Sequence, residues 1–243
     1  MPESQRPVAF ITGAGRGIGR AIAVDLADAG HDVALLARST DELEDAAAAC
    51  RGAGSTALAL PTDVTDAAAL GRALDACVEG LGGLDVLVVC AGAFDWAPVA
   101  EADPAAWDHL IDLNLRSAMH LTRLAAPHLC RSGAGSAIFI ASMAGKFAYG
   151  GNAAYVATKH GLVGFAGSAF QDLRADGVKV SVICPGLVAA GAALEMPPGA
   201  ADTSRFLRPD DVAHAVRFVV TSPPSVCPTE ILLEPQLDPW IRG

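Results

Sequence analysis

Tyr155 and Lys159 lie four positions apart in Ala154-Tyr155-Val156-Ala157-Thr158-Lys159, and Ser142 precedes them in Phe139-Ile140-Ala141-Ser142-Met143-Ala144-Gly145. An i, i+4 pair projects from one helix face, so the Lys159 ammonium is expected beside the Tyr155 phenol. A free phenol titrates near pH ~10, too high for proton transfer at neutrality, and an adjacent cation favours its phenolate. General acid/base work is the chemistry such a pair offers. Taken alone the spacing recurs by chance on solvated helices, and Ser142 reads equally as a strand-end serine capping its own backbone. The elements that position these residues decide between the readings.

Short apolar runs alternate with longer, alanine-rich segments of helical character. The runs are Val8–Thr12, Val33–Ala37, Thr56–Leu60, Val86–Cys90, Ala137–Ala141, Lys179–Cys184 and Glu230–Leu233. Runs that are apolar on both faces suit strands of a parallel sheet covered by helices. This rhythm predicts an α/β chain with a doubly wound Rossmann fold, a seven-stranded parallel sheet flanked by helices on both faces. Thr40-Asp41-Glu42, Thr65-Asp66 and Asp103-Pro104 carry the residue types that open helices, while Pro127 predicts a bend or a stop late in the fourth helical segment. No linker or charge block divides the 243 residues, and 52% of them are apolar, so one domain over residues 1–243 is expected.

A net charge of −10 and an isoelectric point near 4.9 argue against nucleic acid or an anionic membrane as a partner. The cysteines Cys50, Cys77, Cys90, Cys130, Cys184 and Cys227 are widely spaced and read as reduced core thiols of a cytoplasmic protein. The histidines His31, His109, His120, His128, His160 and His214 lack metal-ligand spacing, and no metal is expected. The N-terminal Met1 to Pro7 lacks a secretory pattern, and the nearly uncharged stretch over residues 180–196 is broken by Pro185, Gly186 and Gly191, so no membrane span is expected.

The first run passes directly into Thr12-Gly13-Ala14-Gly15-Arg16-Gly17-Ile18-Gly19 and then into helical sequence over Arg20–Ala29. Glycines there permit a tight turn and let backbone N–H groups approach a pyrophosphate at a helix N-terminus, where the helix dipole favours an anion. Gly13, Arg16, Gly17, Ile18 and Gly19 are therefore candidates for dinucleotide binding. The second run ends in Ala37-Arg38-Ser39-Thr40, with an arginine where an NAD-selective site wants an acid. Arg38 can clamp a 2′-phosphate with Ser39 beside it and Arg16 approaching from the glycine turn, so NADP(H) is the preferred cofactor, with NAD(H) possible. The competing reading makes Arg38 a solvated residue at a helix start or one that stacks on adenine.

With these residues in view the chain resembles the short-chain dehydrogenase/reductase family, the single-domain type with a TGxxxGxG turn and a YxxxK pair, over essentially its whole length. The resemblance implies that Asn114, Ser142, Tyr155 and Lys159 form a catalytic tetrad. It implies that Asp63 and Val64 bracket the adenine, that Cys90, Ala91 and Gly92 and the pair Tyr155 and Lys159 border the cofactor, that Pro185 and Gly186 lie against the nicotinamide, and that Val188 stands beside the carboxamide. Within that scheme Tyr155 exchanges a proton with a carbonyl or alcohol oxygen, Ser142 holds that oxygen, Lys159 bonds the nicotinamide ribose, and Asn114 helps hold a water relay. The chain departs from the family where Cys90-Ala91-Gly92 replaces Asn-Ala-Gly, where Ala189-Ala190-Gly191 lacks a cofactor-touching threonine, and where Glu234-Pro235-Gln236 replaces a glycine-rich end. Phe94, Asp95, Trp96, Phe147, Tyr149 and Asn152 are candidates for the substrate wall, residues 187–203 for a substrate lid, and residues 234–243 for a C-terminal tail. The short, nearly uncharged lid suits a small or apolar carbonyl compound better than a large anionic carrier. The function these features predict is an NADP(H)-dependent carbonyl reductase or alcohol dehydrogenase acting on a small molecule. The alternative is a catalytically silent dinucleotide-binding regulator or partner protein of the same fold. The family also implies a homotetramer, a dimer of dimers. Apolar residues on more than one face of the segments over 103–131 and 152–175 (Leu110, Leu113, Leu121 and Leu124; Leu162, Phe165, Phe170 and Leu173) predict a second apolar surface for it.

Overall fold

Every residue of Val8–Thr12 is apolar or a threonine, and every one is buried, which is the environment of a central strand covered on both faces. This strand, β1, is followed by α1 (Gly17–Asp28), β2 (Asp32–Ala37), α2 (Thr40–Gly52), β3 (Ala57–Pro61), α3 (Ala67–Leu81) and β4 (Val86–Val89). The second half runs through α4 (Pro104–Ile111), a π turn (Asp112–Arg116), α5 (Ser117–Ser132), β5 (Ser136–Ile140), α6 (Ala153–Leu173), β6 (Lys179–Pro185), α7 (Pro209–Thr221) and β7 (Glu230–Leu233). The structure, a computed structural model, describes residues 6–196 and 200–240; residues 197–199 of the expected lid and 241–243 of the expected tail lie outside them, as do residues 1–5.

The strands form one seven-stranded sheet in the order β3-β2-β1-β4-β5-β6-β7, and every pairing is parallel. Alternate strand residues point to opposite faces. Phe10, Leu36, Leu87 and Phe139 pack with Leu70 and Leu74 of α3, Leu121 and Leu129 of α5 and Leu162 of α6. Ile11, Leu35, Val88 and Ile138 pack on the other face with Ile22 and Leu26 of α1, Leu43 of α2 and Val216 of α7. After β1 the chain adds β2 and β3 on one side, then returns to place β4 on the other. The carboxyl ends of β1 and β4 therefore diverge and open the crevice where open α/β sheets bind ligands.

Asp66 and Asp103 cap helices as expected, whereas the cap of α2 falls on Ser39, one residue before the expected Thr40. Ser39 caps α2 by accepting from Glu42 N at 3.3 Å, Asp66 caps α3 from Ala68 N at 2.9 Å, and Asp103 caps α4 from Ala105 N at 3.0 Å. Pro127 differs from expectation, because α5 continues through it to Ser132. Pro127 and Arg123, whose carbonyl would have received the missing N–H, both lie on the exposed face, where water can hydrate that carbonyl. The interruption falls instead at Asp112–Arg116, where the chain widens into a π turn.

The helical leucines and phenylalanines expected to form a second surface also differ. Leu121 and Leu162 belong to the core beneath β5, Leu113, Leu124, Phe165, Phe170 and Leu173 pack against it, and Leu110 is buried. Two long helices laid side by side on one sheet face have a groove between them to fill, which absorbs side chains that a single helix would leave outside.

Candidate active site

The glycine turn is fixed by contacts that leave no room for a side chain. Gly13 has φ +68°, and a Cβ there would stand 3.0 Å from the Ala91 backbone. A Cβ on Gly19 would come within 2.2 Å of Gly13 O, so the start of α1 packs directly on the turn. Gly17 is also left-handed, at φ +54°. Arg16 precedes α1 in extended conformation without a side-chain cap, leaving the first N–H groups of the helix free for an anion. Ile18 packs against the core on the α1 face. Thr12 Oγ1 accepts from both Cys90 N and Ala91 N at 3.0 Å, tying the ends of β1 and β4 together below the turn. Ala190 approaches from the other side, 3.3 Å from where a Gly17 Cβ would stand.

At the end of β2, Arg38 is exposed and makes no ion pair among the described residues. Asp63, on the loop after β3, accepts from Thr65 N at 2.9 Å and from the Thr65 hydroxyl at 2.7 Å. These bonds, first from the backbone and then from the hydroxyl, hold its carboxyl below the ordinary range, and the Arg38 charge lowers it further. Val64 is buried in the core, so its backbone is what it offers the crevice. Glu42 is a neighbour the sequence had assigned only to helix capping. It pairs with Arg16 at 3.7 Å and lies 3.1 Å from the place of a Gly15 Cβ, bringing an acid to the glycine turn.

Asn114 of the π turn and Tyr155 and Lys159 of α6 come together beside the loop after β4, and Ser142 follows β5, whose Ile140 carbonyl meets Lys159. Lys159 is 5% exposed; its Nζ lies 5.7 Å from the Tyr155 ring centroid and donates to Ile140 O at 3.0 Å. A Cβ on Gly92 would stand 3.1 Å from Asn114 Oδ1 and 3.7 Å from Lys159 Nζ. Asn114, buried in the π turn, accepts from Ala93 N at 2.8 Å, donates to Ala93 O at 2.9 Å and reaches Thr158 Oγ1 at 3.3 Å. Its amide therefore braces the loop after β4 against α6. Thr158 completes that brace by donating to Tyr155 O at 2.8 Å, a role its place inside the Tyr-to-Lys spacing could have flagged. Ser142, just past β5, accepts from Ala144 N at 3.1 Å, and its hydroxyl hydrogen remains available. Burial pushes the Cys90 thiol up to about 12 against the pull of Lys159, so at neutral pH it is a protonated packing group rather than a nucleophile.

On the far side, Gly186 follows Pro185 and donates to Leu233 O at 2.7 Å. A Cβ on Gly186 would fall on the Glu234 carboxylate, so this tail residue lies directly against the Pro185–Gly186 turn. Val188 is buried and bridges to Leu207, and Ala189 N donates to Leu207 O at 2.7 Å, which anchors the start of the expected lid on the segment before α7. Of the wall candidates, Phe94 meets the Tyr155 ring edge-on at 5.0 Å between centroids and Trp96 at 6.4 Å. Ala97 N donates to Gly151 O at 2.7 Å, joining the two wall loops. Tyr149 and Phe147 are exposed, and burial together with the Glu234 charge pushes the Tyr149 phenol up. Among the described residues no set of three His, Cys, Asp or Glu could hold a metal ion, and no helix is long and apolar enough to cross a membrane.

A doubly wound parallel sheet with a glycine turn at its switch point and a Ser, Tyr and Lys set across the crevice defines a dinucleotide-dependent oxidoreductase by its architecture. The short chain dehydrogenase family profile matches residues 7–199, and the chain belongs to the short-chain dehydrogenase/reductase family. Among curated proteins it is 31% identical to the 3-oxoacyl-acyl-carrier-protein reductase FabG of Staphylococcus aureus, over 88% of this chain and 90% of that protein. It is also 31% identical to the glycine betaine reductase ATRR of Emericella nidulans over 96% of this chain, which spans only 19% of that protein's length. A metagenomic short-chain oxidoreductase in complex with NADP superposes with a TM-score of 0.84 at 33% identity, covering 97% of this chain and 100% of the other. Carveol dehydrogenase from Mycobacterium avium in complex with NAD superposes at 0.87 and 26% identity, covering 94% and 96%.

Proposed function

We propose that the protein is an NADP(H)-dependent oxidoreductase interconverting a small carbonyl compound and a secondary alcohol, with Tyr155 as the general acid/base. The observation that carries the reading is the buried Lys159 beside the Tyr155 ring at the mouth of the crevice. A bound nicotinamide supplies the hydride exchanged with the substrate carbon. The turn suits such a dinucleotide: Gly13 and Gly19 let it pack closely on the loop after β4 and on the start of α1, and the uncapped start of α1 favours a pyrophosphate. Gly92, Pro185, Gly186 and Val188 border its nicotinamide end, and Asp63, Val64 and Arg38 its adenosine end.

Tyr155 gives its proton to the substrate oxygen on reduction and takes it back on oxidation. Ser142 donates its hydroxyl hydrogen to the same oxygen. Lys159, with one N–H on Ile140 O, keeps its other donors for the ribose and sets a positive charge beside the phenol. Asn114 serves by position, holding the Ala93 backbone and, through Thr158, the turn of α6 that bears Tyr155. The preference for NADP(H) rests on Arg38, whose charge also acts on the Asp63 carboxylate, while Arg16 offsets the Glu42 charge beside the glycine turn.

A panel of ketones and secondary alcohols, each assayed with NADPH or NADH and the oxidised forms, tests the reading. Turnover of at least part of the panel is expected, and Tyr155→Phe should lose it by about 10²–10⁴-fold while still binding cofactor. Near-normal kcat in that variant would remove Tyr155 from the mechanism. NADPH binding with no consumption across the panel would point back to a silent dinucleotide-binding protein.

A further inference from the structure

Three rings run in series from Tyr155 toward solvent. The Tyr155 ring meets Phe94 edge-on at 5.0 Å between centroids, and Phe94 meets Trp96 at 6.4 Å with their planes tilted by 36°. Exposure rises along the series, for Tyr155 is half-buried whereas Phe94 and Trp96, on the loop after β4, are 41% and 65% exposed. The indole is nevertheless fixed. A Cβ on Gly151 would stand 2.6 Å from Cε2 and Cζ2 of Trp96, so the ring rests on the Gly151 backbone, which is left-handed at φ +80°. One residue beyond the indole, Ala97 N donates to Gly151 O at 2.7 Å, which clips the loop to the segment leading into α6. Any side chain at position 151 would both strain that turn and displace the ring.

Exposed rings held in this way have already lost the rotamer freedom that binding would otherwise cost, and their bare apolar surface gains from being covered. Because Phe94 touches the Tyr155 ring itself, a group lying on this series belongs to the molecule whose oxygen Tyr155 serves. We propose that the substrate carries a flat aromatic group within a few bonds of its carbonyl or carbinol carbon, seated on the rings of Phe94 and Trp96. This assignment rests on the reading of Tyr155 as the group that serves the substrate oxygen. A further ring joins such a series offset or edge-on, at about 4.5–7 Å between centroids, with a quadrupole contact that a puckered saturated ring of the same size lacks.

Two ketones with the same reacting end separate the possibilities: benzylacetone and its analogue with cyclohexyl in place of phenyl, in both of which a saturated spacer isolates the carbonyl from the ring. Benzylacetone should exceed the cyclohexyl ketone by about three- to ten-fold in kcat/KM. Phe94→Leu combined with Trp96→Leu keeps apolar side chains at two exposed positions but removes the π faces, and should bring that ratio to about one, each ratio being taken within one protein. A ratio near one in the unaltered protein, or a preference that persists in the double variant, would overturn the inference. Persistence together with a lower assembly mass by light scattering would assign the rings to contact between copies of the chain. Calorimetric titration with hydrocinnamamide and its cyclohexyl analogue, shaped like the ketones but with an amide carbonyl, reads the rings without any reaction. Phenyl-selective amide binding that the double variant loses, with neither ketone reduced, would uphold the ring seat and defeat the proposed chemistry. Reduction of both ketones with equal efficiency, and no selectivity between the amides, would uphold the chemistry and defeat the seat.

Discussion

Arg38 at the end of β2 and Glu42 beside the glycine turn carry opposite charges, and their consequences for the proposed cofactor selectivity can be separated. The sequence singles out Arg38 because the end of the second strand is where a dinucleotide fold meets the ribose, and an arginine there can meet a 2′-phosphate. It does not single out Glu42, because an acid in the first turn of a helix already has a sufficient explanation in capping and the helix dipole. Only the approach of its side chain to Gly15 and Arg16 gives it a second. The exposed guanidinium of Arg38 is free to pair bidentately with a 2′-phosphate, an interaction of about 1.5–3 kcal/mol, or a decade or more in affinity. NADPH should therefore be used at least about ten-fold more efficiently than NADH, and Arg38→Ala should remove most of that margin. Steady-state kcat/KM for both cofactors, in both proteins, checks it; equal efficiency in the unaltered enzyme would return Arg38 to the solvated surface and leave Glu42 as the group that greets the ribose.

The elements were legible to within a residue or two wherever one rule dominated. Seven apolar runs became seven strands, because a strand covered on both faces must be apolar throughout, and Ser39, Asp66 and Asp103 cap helices where their types allow it. The π turn at Asp112–Arg116 left no such trace, since one extra residue in a helix changes no composition and breaks no periodicity strongly. Yet that turn presents Asn114 to the Ala93 backbone, so the junction between β4 and α6 depends on a feature the pattern hides. The approach of Glu234 to Gly186 was equally hidden, because a tail read in isolation has no partner to predict. Thr12 is the counterpart of Asn114 at the other junction. Its side-chain oxygen is the acceptor for two N–H groups, from Cys90 and Ala91, at the carboxyl end of β1. Thr12→Val keeps the shape and removes that acceptor, stranding donors that each cost about 1–3 kcal/mol when buried. The urea midpoint should fall accordingly, and Thr12→Ser should recover most of the loss. A valine variant as stable as the parent would mean that water already serves these two groups.

For the whole molecule the open question is which surfaces remain apolar once the interior is filled. The leucines of α4, α5 and α6 are absorbed by the core, so the case for assembly passes to other residues. Ile111 and Met119 are 44% exposed on the α4–α5 rod, and several outer positions of α6 are small, with Ala157, Gly164, Gly167 and Ser168 exposed beside His160. At the other end β7 closes the sheet as an unpaired edge, and Phe218, Leu232, Leu237 and Trp240 are each about half exposed or more on α7, β7 and the tail. A monomer rarely leaves so many large apolar side chains in water, and an edge strand invites a cover. Two separate apolar regions on one chain, each meeting its own copy about a two-fold axis, would build a dimer of dimers. Light scattering at micromolar concentration should accordingly give about four times the 24.7 kDa chain mass. Removing residues 237–243 takes away Leu237 and Trp240 but leaves the helical region intact, and should reduce the tetramer to a dimer rather than to a monomer. A monomeric parent protein would dispose of both contacts, whereas a tetramer that survives the truncation would free the tail from assembly and leave Trp240 exposed without a partner that the chain itself supplies.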